Sequence, residues 1–338
     1  MKKTLVALAV LAASGAAMAQ STVTLYGVAD TWFGQTETGV GAAKLKQTVL
    51  NTNGMNSSRW GLKGSEDLGG GLKAVFQIES GFNIDTGAQT DAASLFNRQA
   101  FVGLAGGFGS VTAGRQYTAY DALRGATNNT YDTASFTTTG TVWGYGAVAD
   151  YASRVNNSIA YTSADFGGFS GAAVVGLGEN KTATVDANQN LSLHVKYAAG
   201  PVLVGYAYQE QKAQNALVTG TDTTKYNLLA GSYDFGVVKL NAGYNTAKVN
   251  NNSDKEYQLG LSAPIGTSAN VALGYTKSKG EVSGTTVANG KGYSVVGYYD
   301  LSKRTRLYAA ASKTTADNNA GTDTAATANF GLGVRHNF

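Results

Sequence analysis

Imidazole is the scarcest reactive group in this chain: His194 and His336 are the only histidines, and there is no cysteine. Nucleophilic hydrolysis needs a base beside a hydroxyl or thiol, with a third group to orient the base. His194 shares its alternation with Ser192 and Lys196, and His336 stands among apolar residues near the C-terminus. Neither sits in a catalytic arrangement, and no enzyme is expected. Without cysteine there is no disulfide framework, thiolate chemistry or thiolate-bound metal. No spacing of histidine and carboxylate suits a transition metal, and no ordered ligand series suits calcium. The glycines from Gly106 to Gly109 read as a turn, not a phosphate cradle. No cofactor and no metal are expected.

What remains is fixed charge at strand spacing. Around Ser58–Lys63, Trp60 and Leu62 take one parity, and Arg59 and Lys63 take the other. Along Leu72–Phe82, Leu72, Ala74, Phe76 and Ile78 alternate with Lys73, Gln77 and Glu79. Arg98 precedes a stretch in which Phe101 and Gly103 are read as outward, which turns Arg98 inward together with Val102 and Leu104. Arg115 and Arg154 flank a long polar stretch that carries Asp121, Asp132 and Asp150. Guanidinium groups keep their charge at any working pH and are more weakly hydrated than ammonium. Such a set can therefore attract and orient anions.

The elements that must hold these charges are strands. From Phe330 to Phe338, apolar residues and His336 alternate strictly with Gly331, Gly333, Arg335 and Asn337, the two-residue period of a two-faced strand. Val238, Leu240, Ala242 and Tyr244 alternate likewise with Lys239, Asn241, Gly243 and Asn245. The pattern recurs around Leu191–Tyr197, Tyr257–Leu261, Val271–Tyr275 and Leu307–Ala309, and it weakens at Gly171–Leu177, where both faces are apolar. The 44 glycines, 19 tyrosines and two prolines suit strands and turns better than helices.

At the N-terminus, Lys2 and Lys3, the apolar run Leu5–Ala13 and Ala17-Met18-Ala19 have the order of a secretory signal peptide cleaved after Ala19. A single domain from 20 to 338 is expected to follow. Loss of Lys2 and Lys3 lowers the formal net charge from +4 to +2, which asks for no nucleic acid partner. Nor does any mature segment hold 18 consecutive apolar residues.

Turn-like stretches fall into two classes. Seven are short: Glu66–Gly70, Ala105–Gly109, Ala164–Gly168, Ala198–Pro201, Tyr233–Gly236, Ala263–Thr267 and Asp300–Lys303. Eight are longer and polar: Gln35–Gly54, Asn83–Ser94, Tyr117–Tyr151, Glu179–Asn188, Gln211–Asp222, Asn250–Asp254, Lys279–Asn289 and Thr314–Ala325. In alternation they join sixteen strands, with both termini on the short-turn side. An even strand count, short turns opposite long loops, and a greasy face opposite Lys, Arg, Asn, Gln and Gly are the signature of an outer-membrane barrel with a water-filled lumen. Tyr206, Tyr208, Tyr244, Tyr275 and Tyr299 lie near strand ends on the greasy parity, where rings with one wet end suit a membrane interface.

The whole mature length resembles the general diffusion porins of the Gram-negative outer membrane, the β-proteobacterial type above all. The resemblance is carried by VTLYGVADTWF at 23–33, SSRWGLKGSEDLGGGLKAVFQIESGF at 57–82, NRQAFVGLAGGFGSVTAGRQ at 97–116, RVNNSIAYTS at 154–163 and the closing GVRHNF. It implies an all-β, sixteen-stranded antiparallel transmembrane barrel in the bacterial outer membrane. Such a barrel is usually a homotrimer among outer-membrane lipid and lipopolysaccharide, passing ions and small hydrophilic solutes passively. It implies that the assembly machinery reads Phe338, and that the third loop folds into the lumen and narrows it. Arg59, Arg98 and Arg154 match the arginine cluster of the family's constriction. Arg115, Lys73 and Glu79 on the wall, and Asp121, Asp132 and Asp150 on the loop, complete the expected set. Weak to moderate anion preference follows from arginines facing a sparsely acidic loop. Two other readings stand beside this one. A loop-mediated adhesion or receptor barrel would be silent in a bilayer. A substrate-selective channel would carry an aromatic ladder that Tyr26, Tyr298 and Tyr308 do not form.

Overall fold

A computed structural model describes residues 22–131, 133–214 and 221–338. The expected signal peptide lies outside them. Seventeen strands are present among the described residues: β1 (Thr22–Thr38), β2 (Leu45–Thr52), β3 (Arg59–Gly69), β4 (Leu72–Gly81), β5 (Gln99–Gly106), β6 (Gly109–Tyr117), β7 (Arg154–Thr162), β8 (Phe169–Leu177), β9 (Gln189–Ala199), β10 (Val202–Gln214), β11 (Thr221–Asp234), β12 (Lys239–Val249), β13 (Asn252–Ile265), β14 (Ala269–Val282), β15 (Thr285–Asp300), β16 (Thr305–Asn318) and β17 (Asp323–Asn337). Two short helices, α1 (Ala119–Ala126) and α2 (Thr139–Trp143), lie between β6 and β7.

Every strand pairs antiparallel with its neighbours, and β17 returns to β1 from Val28↔Asn337 to Thr38↔Thr327. The sheet therefore closes, and no edge is left to seek a partner. Its circumference holds sixteen positions because β2 and β3 share one. Thr31–Thr38 of β1 pairs with β2, and Thr22–Val28 pairs with β3. The break between them is held by Asp30, whose carboxylate accepts from the backbone N–H of Gly54 (2.8 Å), Met55 (3.0 Å) and Asn56 (2.8 Å) and from the Tyr308 hydroxyl (2.6 Å).

The greasy parity is the outer one. Leu259 and Leu273 are half exposed and Leu240 is over a third exposed, whereas Asn241, Gln258 and Thr276 on the other parity are buried. This is the reverse of a water-soluble sandwich, whose apolar faces meet each other. Outward tyrosines pair across strands, Tyr244 with Tyr257 at 4.9 Å and Tyr275 with Tyr293 at 5.2 Å between ring centroids. Tyr299 marks the other border of the apolar band, six residues or roughly 20 Å from Tyr293 along β15.

All seven short connections are present; six fall on the expected stretches, and the first is a turn at Gly70 and Gly71, because β3 runs on through Glu66 to Gly69. Several long polar stretches are not loops. The Asn250–Asp254 stretch is cut to a two-residue turn, and β14 and β15 run on through Lys279–Asn289 to a turn at Ser283 and Gly284, both at positive φ. That geometry is the hairpin turn which matches strand twist. Polar composition there records strands standing in water beyond the apolar band. It does not record loss of the ladder.

The parity expected for β5 is corrected. Val102 and Leu104 are exposed and face outward, while Phe101 and Gly103 stand opposite Gln77 and Thr112 on the inner face. The doubly apolar β8 also finds its reason: Val174 packs inward against Ala160 and Ala119, under the start of α1.

Candidate functional site

Residues 118–153 form the longest connection in the described chain; many of their partners lie on the inner parity of β9 to β17, and Asn53 and Gly54, between β2 and β3, bind Ser135 and Ala134. Thr118 caps α1 by accepting from the Asp121 N–H at 3.1 Å. The Tyr120 N–H donates to Ser192 Oγ on β9 (2.8 Å), and its hydroxyl reaches Asn245 on β12 (2.8 Å). His194 Nδ1 lies 2.7 Å from the Ala119 carbonyl, so this imidazole moors the helix. Gln258 on β13 bonds to Thr139 Oγ1 and to the Thr127 carbonyl (3.0 and 3.1 Å). Asp254, also on β13, accepts from the N–H groups of Ala147 and Val148 (2.7 and 2.8 Å). Tyr226 on β11, Gln209 on β10, Ser278 on β14 and Asn329 on β17 each bind a backbone carbonyl of the segment.

Glycine makes this approach possible. A Cβ on Gly260 would lie 2.3 Å from the Asn129 carbonyl oxygen, one on Gly280 2.5 Å from the Ala147 nitrogen, and one on Gly292 2.6 Å from Thr138 Cβ. All three stand on the inner parity of β13–β15, which therefore forms a shallow bed for the segment's backbone.

The opposite wall carries the arginines. Glu79 on β4 pairs with Arg98 (2.7 Å) and Arg59 (3.4 Å) and accepts from the Tyr26 hydroxyl (2.9 Å). Arg98 Nη2 continues to the Tyr117 hydroxyl (2.7 Å), which also receives Arg154; the Arg154 guanidinium lies 4.0 Å from the Tyr117 ring centre. One network thus joins Arg59, Arg98 and Arg154 across β3, β4 and β7. The Glu79 side chain is 5% exposed and that of Arg59 is 25% exposed, so the carboxylate lies behind the guanidiniums. Arg98 arrives by a different route from the one expected. It precedes β5, its N–H bonds to the Glu79 carbonyl at 3.2 Å, and the strand's alternation does not extend to it.

Two further arginines extend the arc and were not singled out from sequence. Arg335 on β17 and Arg306 on β16 stand directly opposite each other. Arg335 donates to Asn56 Oδ1 (2.9 Å), and Arg306 holds Asp300 at 2.6 and 3.0 Å while stacking 3.3 Å from the Tyr298 ring centre. The signal was available, since both take the inner parity of strands whose alternation is clear.

The remaining expected residues divide. Arg115 is apart from the cluster: it shares the parity of outward Val111, and its guanidinium is held by the Asn97 carbonyl and by Asn156. Lys73 keeps the inner parity but lies opposite Asp67 at the short-turn end, six residues or roughly 20 Å along β4 from Glu79. Asp150 faces Arg124 at 3.0 Å, not the wall arginines; Arg124 is buried in α1 between the rings of Trp143 (4.7 Å) and Tyr151 (4.6 Å). Asp121 accepts from the Tyr151 hydroxyl. Burial pushes its carboxyl above the ordinary range, against the pull of that hydrogen bond and of Arg154, Arg124 and Arg98. Asp132 lies outside the described residues. Among those residues, no cluster of His, Cys, Asp or Glu could hold a metal ion. A cavity of about 870 Å³ opens between the start of the segment and the wall, lined by Lys63, Gln77, Phe101, Thr118, His194 and Lys196.

Comparison with known proteins agrees with this architecture. A family described as Gram-negative porin matches residues 4–334. Outer membrane porin protein 32 of Delftia acidovorans is 36% identical, covering 91% of this chain and 88% of the relative. An outer membrane porin protein of Bordetella pertussis is 34% identical over the full length of both. Among solved structures, one described as an anion-selective porin from Comamonas acidovorans superposes with a TM-score of 0.81 at 28% identity, covering 94% of this chain and all of that one.

Proposed function

The chain belongs to the Gram-negative porins of the outer membrane, and we propose that it passes small hydrophilic solutes and ions by diffusion with weak to moderate anion preference. The observation that carries this reading is the arrangement of charge. Arg59, Arg98 and Arg154 stand in front of a covered Glu79 on one wall, while Asp150 on the facing segment is engaged by Arg124. A narrow aqueous gap between low-dielectric walls focuses such a field and raises the local anion concentration. Residues 118–153 act as the constriction, held on the far wall so that solutes pass along the arginine side. The anion selectivity named for the Comamonas structure supports the same direction.

Residues 1–19 act as the leader, and three copies associate as in the family. Phe338 is the assembly signal. Its N–H and carbonyl pair with Gly27 at 3.1 and 3.0 Å, and its ring lies where a Gly27 Cβ would stand. The test is conductance of the purified protein in a planar bilayer. An open aqueous pore conducts in proportion to bulk salt conductivity, and a barrel plugged for adhesion stays silent.

A further inference from the structure

A second cavity lies across segment 118–153 from the arginines. Its volume is about 390 Å³, and it is bounded by the short-turn ends of β11–β14 and by Gly125, Ala126, Asn128 and Tyr131 of the segment. The segment roofs this niche, which therefore opens towards the short turns. Lys239, the first residue of β12, stands on its inner wall and is half-buried. Asp234 is its direct neighbour across the ladder, yet no ion pair or hydrogen bond joins the Lys239 ammonium group to another described residue. Asp234 Oδ1 instead takes the Gly236 N–H at 2.8 Å.

One inner step deeper on β12, or roughly 7 Å, Asn241 is 7% exposed, and its Oδ1 is buried without a donor among the described residues. Ser262 lies across the ladder from Lys239, and Asn270 stands beside it on β14. The Tyr131 hydroxyl donates to Asn270 Oδ1, so the Asn270 amide keeps its N–H groups for the niche. A half-turn about χ2 exchanges the oxygen and nitrogen of Asn241, so its amide can offer a ligand an acceptor or a donor. An unmatched buried acceptor asks for a donor, which a hydroxyl supplies and a chloride or acetate ion does not. The unpaired ammonium group asks for a carboxylate, and Asp234 at the mouth disfavours a second negative charge.

We propose that this niche binds a sugar monocarboxylate of hexuronate size, with the carboxylate at Lys239 and ring hydroxyls at Asn241, Ser262 and Asn270. Its volume stands near the lower end of the range for small-molecule sites, roughly 300–1,000 Å³, which suits one sugar ring better than an oligosaccharide. The solute is held beside the path along the arginines, on the side that faces the short turns. The proposal goes beyond diffusion and does not rest on the ion selectivity of the pore.

Purified protein in detergent is titrated with D-glucuronate, D-glucose, acetate or D-glucarate, and binding is read by saturation-transfer difference NMR. Glucuronate should bind saturably. Glucose lacks the carboxylate and acetate the hydroxyls, so each should bind roughly tenfold more weakly, and the dianion glucarate should gain nothing over glucuronate. Lys239→Gln and Asn241→Leu should each weaken glucuronate roughly tenfold, and Asn241→Leu should leave the zero-current potential unchanged. The triple variant Arg59→Gln, Arg98→Gln and Arg154→Gln should keep the binding. Acetate bound as tightly as glucuronate, unaltered affinity in both niche variants, or loss of binding in the arginine variant would overturn the proposal. The comparison of ligands needs no variant, so it decides even if the niche variants fail to assemble. A silent bilayer with intact glucuronate binding would strike at the channel and spare the niche.

Discussion

At the scale of single residues, Glu79 is the pivot of the arginine network because it neutralises two guanidiniums from a position behind them. Glu79→Gln removes that charge while keeping the shape. It should raise the anion-to-cation permeability ratio and cost on the order of 1–3 kcal/mol in stability, read as a lower transition temperature. Asp121 gives a second prediction, with its sign fixed by burial. A carboxyl raised on folding binds its proton more readily in the folded state. Ionised Asp121 therefore opposes the fold at neutral pH, and that penalty lifts as pH falls through the folded value towards about 3.9. Anion preference should grow on acidification from neutral pH, and Asp121→Asn should flatten that dependence in zero-current potentials. The sequence exposed Arg59, Arg98 and Arg154 through whole motifs, and Glu79 through parity. It could not show that Asp150 is spent on Arg124, because that pairing depends on how a long non-periodic segment folds. Arg115 misled because it adjoins the long segment in sequence; its parity with outward Val111 already turns it away from the lumen.

At the scale of elements, the segment 118–153 is placed by what the wall lacks. Inward glycines on β13–β15 leave room for backbone, and polar neighbours such as Gln258 and Ser278 catch its carbonyls. Gly274→Val sets a branched side chain where even a Cβ comes within 2.8 Å of Thr130. It should loosen the segment at a cost of roughly 1–3 kcal/mol, raising single-channel conductance and weakening selectivity while the barrel's heat resistance on gels persists. The strands themselves were legible wherever one face was apolar. Their ends were not, because β14 and β15 continue as two-sided polar ladders beyond the apolar band. The break between β2 and β3 was hidden as well, since it depends on Asp30 and Tyr308, from strands far apart in sequence.

At the scale of the whole molecule, a closed sheet with its apolar side outward lets every strand cross lipid without a bare edge. Closure ends at Phe338, so deletion of that one residue should sharply lower the yield of heat-modifiable protein in the outer membrane while leaving expression intact, as gels of membrane fractions would show. That the chain ends in a strand was legible from the terminal alternation, and the even count from the turns; the register with β1 was not. The central claim is that water and anions share the arginine side of the lumen. Zero-current potential across a planar bilayer under a tenfold potassium chloride gradient tests it most directly. The wild type should give the sign of a chloride-preferring pore, and the triple variant Arg59→Gln, Arg98→Gln and Arg154→Gln should move the potential towards the potassium side. A wild-type channel that prefers potassium, or a triple variant with an unchanged potential, would contradict the account.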